Sequence, residues 1–251
     1  VVISEFCAID CDSMLYAGVI VVVIDTLAER DSCLLIQESG CHILADLASK
    51  EDLQIILSIV QTEGVDTLLT TMSMFSGEEM VQLYAARTLS FLCKDTEAKT
   101  LVQAQGGLRL LFTALEKFLD KQNAVAPIMM AIAGLSESFD EETTKEVVKH
   151  MIPLSIKALC RHSNEERIVI SCCRALTNFC RSSSGALELA IADKVEDACL
   201  DVLGDCIGKK GSTAIIFEFL AVIQGHGAKS TLADVSKPIE SIIQAMLASF
   251  D

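Results

Sequence analysis

With 251 residues, 51% of them apolar, and a mean hydropathy of +0.44, the chain has ample material for a well-buried core. Its most apolar run, Gly18–Ile24, is closed by Asp25, far short of the roughly 18–20 residues that a membrane-spanning helix needs. A net charge of −15 and a pI near 4.6 argue against nucleic acid as a partner, because a binder must present phosphate-neutralising Lys and Arg.

Three prolines, no tryptophan and an abundance of Ala, Leu and Ile favour an all-α fold. In chain order, Val1–Cys7 reads as the tail of a helix and Ile9–Tyr16 as a short one. Val19–Arg30 follows as a longer helix, although its Val/Ile run has strong β-propensity. Ser32–Ser49 is amphipathic. The pattern then predicts helices over Glu51–Gln61, Val65–Phe75 and Glu78–Lys94, and again over Thr96–Gln105, Leu108–Leu119 and Gln122–Ser138. Within the last of these, Pro127 predicts a kink or a late start. Glu141–Lys149, Ile152–Arg161 and Glu165–Arg181 form a further set, then Ala186–Ala192, Lys194–Ile207 and Ser212–Gln224. Ala228–Val235 and Pro238–Phe250 close the chain.

A repeat underlies this order. Apolar pairs spaced by three, Leu44/Leu47, Leu89/Leu92, Ile132/Leu135, Leu176/Phe179 and Leu220/Ile223, have second members 45, 43, 44 and 44 residues apart. Gly18, Gly64 and Gly107 mark the start of second helices, a slot held later by Met151 with Pro153, by Val195 and by Pro238. Glycine there implies a left-handed turn, and proline a helix start. The units run approximately 8–49, 50–94, 95–138, 139–183 and 184–227 within a single domain over 1–251, with partial units 1–7 and 228–251. Neither end carries a capping unit, which predicts a piece of a longer array or ends covered by something else.

The period of roughly 40–47 residues and three helices per unit, with the third longest, resemble the armadillo repeat. The stretch Glu166–Arg181, ERIVISCCRALTNFCR, is similar to its third helix. The resemblance implies a right-handed α-solenoid of about five armadillo-like units whose third helices line a concave groove. In the nuclear-import-receptor branch of that family those helices carry Trp, then Asn four residues on, to clamp a basic peptide. The Trp slot here holds His42, Arg87, Met130, Arg174 and Glu218, and the Asn slot Asp46, Phe91, Gly134, Asn178 and Val222. Only Asn178 matches, so the resemblance does not extend to import-signal recognition.

The candidate groove is therefore mixed. Glu38, His42 and Asp46 share a helix face at i, i+4, i+8. Arg87, Arg174, Lys94 and Arg181 present positive charge suited to carboxylate or phosphate. Asp46 and Arg87 are also placed to pair across neighbouring repeats. Tyr84, Phe91 and Met130 are candidate anchors for a partner peptide or helix, or core residues. Tyr84, Arg87, Phe91, Arg174 and Asn178 form the expected centre of the surface.

No catalytic, metal or cofactor motif occurs. Zinc-type Cys pairs, HExxH and GxSxG are absent, and Gly208-Lys-Lys-Gly211 lacks the spacing of a phosphate loop and reads as a turn. The eleven cysteines, among them Cys41, Cys93, Cys160, Cys172, Cys173, Cys180 and Cys199, fall in apolar helical patterns. They predict free buried thiols and a reducing, cytoplasmic compartment. The expected function is a non-catalytic scaffold or adaptor for a protein partner. A structural subunit of a large assembly, or a scaffold tethered to membrane by lipidation upstream of Val1, are the alternatives.

Overall fold

The apolar pairs that recur every 43–45 residues are the core. Leu44, Leu47, Leu89, Leu92, Ile132, Leu135, Leu176, Phe179, Leu220 and Ile223 are all 2% exposed or less. Burying each such side chain stabilises the fold by about 1.5–3 kcal/mol, and the even spacing distributes that gain along the chain. The computed structural model describes residues 18–139, 141–206 and 209–225; no strand occurs among them. The helices expected at Val1–Cys7, Ile9–Tyr16, Ala228–Val235 and Pro238–Phe250 lie outside the described residues.

The first described repeat contributes α1 (Val19–Glu29) and α2 (Leu34–Ala48). The Val/Ile run of α1 is helical because Ile20, Val23, Ile24 and Leu27 fall at helical spacing and bury one face. Next come α3 (Leu53–Gln61), α4 (Gly64–Met74) and α5 (Glu79–Leu92), then α6 (Thr96–Ala104), α7 (Gly107–Lys117) and α8 (Gln122–Ser136). Asp52 and Asp95 cap α3 and α6, accepting from the Gln54 amide at 2.7 Å and the Ala98 amide at 2.9 Å. Such a cap contributes ~1 kcal/mol. Pro127 lies inside α8 rather than marking a late start.

The fourth repeat departs from expectation. A single helix, α9 (Glu141–Arg161), replaces the two predicted over Glu141–Lys149 and Ile152–Arg161, with Pro153 inside it. The reason is an unbroken buried stripe of Val148, Met151, Ile152, Ser155, Ala158 and Leu159 at spacings of three and four. An interior proline costs about 3 kcal/mol in a helix. The continuous apolar face on both sides of Pro153 offsets it. This repeat thus has two helices, α9 and α10 (Glu166–Ser182), where the resemblance implied three. The fifth repeat keeps three: α11 (Ser184–Ala192), α12 (Val195–Asp205) and α13 (Lys210–Gly225). Gly208 lies outside the described residues, whereas Lys210 and Gly211 already belong to α13.

The turn before the second helix falls at Gly18 as expected, but lies one residue ahead of the expected Gly64, Gly107 and Val195. The left-handed positions are Gly18 (φ 69°), Glu63 (φ 60°), Gly106 (φ 73°) and Lys194 (φ 55°). Gly64 and Gly107 are instead the first helical residues of α4 and α7. They are glycine because a Cβ on Gly107 would sit 2.8 Å from the Val102 carbonyl oxygen, and one on Gly64 2.5 Å from that of Ile59. Glu63 and Lys194 bear a backbone strain that Gly18 and Gly106 avoid.

A buried polar slot repeats with the same period. Gln37 Nε2 donates to the Leu27 and Arg30 carbonyls at 2.8 and 3.1 Å. Gln82 Nε2 repeats the pattern on Met72 and Phe75 at the same two distances. Each amide satisfies the Leu27 or Met72 carbonyl that the end of the preceding helix leaves open, and shares the Arg30 or Phe75 carbonyl with the Cys33 or Glu78 amide. In the fifth repeat Thr213 Oγ1 occupies the slot and donates to the Cys206 carbonyl at 3.1 Å. Gln37 Oε1 also accepts from Thr71 Oγ1 at 2.7 Å, tying α2 to α4 of the next repeat.

The helices group into two compact units, Val1–Leu135 and Ser136–Asp251. In the first, α2 packs along α5; in the second, α10 packs along α13 and against α9.

Candidate functional site

In the first unit the predicted site residues assemble into one half-buried network on the third helices. Glu38, His42 and Asp46 project from α2, while Tyr84, Arg87 and Phe91 project from the neighbouring α5. His42 Nε2 lies 3.2 Å from Asp46 Oδ2, and its ring stacks on Tyr84 at 4.3 Å between centroids. Arg87 Nη1 reaches Asp46 Oδ1 at 3.7 Å, so the expected pairing across repeats is present. Partial burial, then the Asp46 carboxylate, lifts the Tyr84 phenol above its ordinary range; Arg87 opposes and Glu38 adds to the rise.

One repeat edge further on, Lys94 Nζ bonds Glu51 Oε2 at 2.6 Å and lies 5.7 Å from the Phe91 ring centroid. Glu51 holds a positive φ of 57°, a strained conformation for a non-glycine residue. A shallow cleft of about 160 Å³ here is lined by Glu51, Leu53, Ile56, Phe91, Lys94 and Asp95. Phe91 is therefore half-exposed beneath a lysine rather than a core residue. Met130 sits half-buried on α8.

The second unit carries the rest on α10. Asn178 Nδ2 donates to Ser136 Oγ at 3.0 Å. Arg181 Nη2 meets Glu218 Oε1 of α13 at 3.0 Å. Arg174 is exposed, and no ion pair among the described residues includes it. Its slot equivalents His42 and Arg87 are engaged by neighbours in the first unit. Arg167, which the sequence reading did not place at the site, is exposed one heptad before Arg174. Its signal was the seven-residue spacing of Arg167, Arg174 and Arg181. Glu51 and the two slot glutamines were likewise missed, although Gln37 and Gln82 stand 45 residues apart inside apolar patterns.

Among the described residues no group of three or more His, Cys, Asp or Glu is placed to hold a metal, and no helix is long and apolar enough to cross a membrane. The nine described cysteines are free thiols. Cys33 and Cys160 are exposed, contrary to the expectation of burial, because Cys33 caps the start of α2 and Cys160 falls on the outer face of α9. Burial pushes the Cys41 and Cys180 thiols up to about 12. Burial also raises Cys172, and a hydrogen bond with Cys199 followed by burial raises Cys173. Such thiols are poor nucleophiles.

No family model matches the chain, and no curated protein matches it by sequence. Among solved structures, a designed armadillo repeat protein superposes with a TM-score of 0.69 at 14% identity, over 88% of this chain and 90% of that one. Two engineered proteins from a structural genomics consortium, each 21% identical, superpose with TM-scores of 0.67 and 0.66. The first alignment covers 90% of this chain and 88% of the engineered one; the second covers 85% and 50%. The fold is armadillo-like and all-α.

Proposed function

We propose that this armadillo-like chain is a non-catalytic scaffold that docks a partner polypeptide on the face of its third helices. The observation that carries this reading is Arg174, exposed and outside the ion pairs of its neighbours. Its slot equivalents in the first unit knit adjacent repeats: His42 against Tyr84, and Arg87 against Asp46. A guanidinium left open in such a slot is available to a carboxylate or phosphate from outside. Half-exposed Tyr84, Phe91 and Met130 supply aromatic and soft surface of the kind that anchors interfaces. Glu38, His42 and Asp46 belong to this proposed face in the first unit, and Asn178 and Arg181 to it in the second. Free thiols support a reducing, cytoplasmic setting.

A second reading, a subunit held within a larger assembly, is favoured by one observation. Leu35 and Met80 occupy the same slot of α2 and α5 and are 72% and 40% exposed. Apolar side chains repeated at one edge are what a neighbouring subunit would cover.

The docking reading is tested by charge reversal. A partner co-purified with the full chain and identified by mass spectrometry is titrated against Arg174→Glu and Arg87→Glu. Arg174→Glu is expected to weaken binding about tenfold or more, with the thermal melt unchanged. Arg87→Glu is expected to weaken it less, because that side chain already serves Asp46. Equal affinity for all three proteins contradicts the reading.

A further inference from the structure

The docking surface carries a feature that identifies the kind of partner. Arg167, Arg174 and Arg181 are exposed and follow one another at seven-residue steps along α10. Seven residues rise about 10.5 Å and return to within about 20° of the same direction, so the three guanidinium groups share one side of the helix. Arg167 and Arg174 take part in none of the ion pairs among the described residues. On a chain of net charge −15, this is a concentrated cationic stripe.

The stripe already shows what it takes. Arg181 holds the Glu218 carboxylate, offered by α13, at 3.0 Å. Another nearby carboxylate, Glu166, accepts from the Ser212 amide at 3.3 Å. Beside Glu218, α13 presents Ala214 and Ala221, both exposed and small, so that part of the flank leaves room for a bulky neighbour, while Gly211 packs against the Glu166 and Ile170 side chains of α10. Half-buried Ile170 lies between Arg167 and Arg174 and adds an apolar contact.

The pitch selects the partner's conformation. An extended chain rises about 3.3 Å per residue and alternates faces, so a carboxylate three residues on lands near the next arginine but points away. A second helix has the same rise and near-return as α10, so acidic residues at every seventh position stay in step with all three arginines. We propose that the Arg167–Arg174–Arg181 stripe docks a partner's amphipathic helix carrying Asp or Glu at seven-residue intervals. This rests on the third-helix docking reading and specifies its ligand.

The test uses the full chain and a fluorescently labelled helical peptide three heptads long, with Glu at one position of each heptad. An isomer of identical composition spreads the same Glu residues around the helix. By anisotropy at moderate salt the heptad peptide is expected to bind about tenfold or more tightly than the isomer, and Arg174→Glu to remove that preference. A peptide with Lys replacing those Glu residues should bind the Arg167→Glu/Arg174→Glu double variant and not the unmodified chain. Equal binding of heptad peptide and isomer overturns the proposal, as does tighter binding of a proline-containing acidic phosphopeptide that cannot form a helix. Either result leaves the third-helix docking reading standing, since that reading is tested on a co-purified partner rather than on these probes.

Discussion

Phe179→Ala is expected to lower the unfolding free energy by about 3–5 kcal/mol, the range for truncating a fully buried aromatic. Phe179 is the second member of the apolar pair of α10, where the other repeats place Leu47, Leu92, Leu135 and Ile223. It is fully buried and stacks on Phe139 at 6.0 Å between ring centroids. The substitution leaves a cavity lined by a second aromatic ring, and the packing of α10 along α13 and against α9 limits how far the site can close over it. Asn178→Ala, one residue away, loses the Ser136 hydrogen bond and is expected to cost roughly 1 kcal/mol. Urea denaturation followed by far-ultraviolet circular dichroism separates the two. Equal effects would show that the apolar pair is not the structural centre of the repeat.

Stability is expected to fall steeply above pH 9 through the buried thiols. Burial pushes the Cys41 and Cys180 thiols from the ordinary 9.0 up to about 12 in the folded chain, and Cys172 and Cys173 are raised as well. An acid whose folded pKa is raised keeps its proton in the native state while the unfolded chain loses it. The unfolded state then binds fewer protons, so the stability present below pH 9 is lost as pH rises from 9 toward 12. Cys41 and Cys180 each contribute a loss on the order of 1 kcal/mol by pH 10. Urea midpoints between pH 7 and 11 under reducing conditions measure it. The Cys41→Ala/Cys180→Ala double variant is expected to start less stable at pH 7 but to lose stability less steeply. An identical slope in the two proteins contradicts the assignment.

The architecture was legible because periodic apolar pairs report burial, and burial dominates where helices sit. That logic correctly overrode the β-propensity of Val19–Ile24. It failed at Lys149–Ile152, where proline chemistry argued for a break but the stripe from Val148 to Leu159 continues through Pro153. It also misplaced the left-handed turn by one residue, since Glu63 and Lys194 accept a conformation that their side chains do not advertise. The site was partly legible. Asp46 and Arg87 fall in adjacent slots, so their pairing follows from the repeat register. The His42–Tyr84 stack, the Lys94–Glu51 bond and the Asn178–Ser136 bond join positions in different slots, and only packing brings those together.

The central claim, that the third helices form the docking face, is tested most directly by site-specific photo-crosslinking. A benzophenone side chain is placed at Tyr84 on α5 and at half-buried Ile170 on α10, which leaves Arg174 in place, and at exposed Arg109 on α7 and Asp197 on α12 as second-helix controls. Adducts with a co-purified partner at the α5 and α10 positions, and none at α7 and α12, are the predicted result. Adducts confined to α7 and α12 would contradict it.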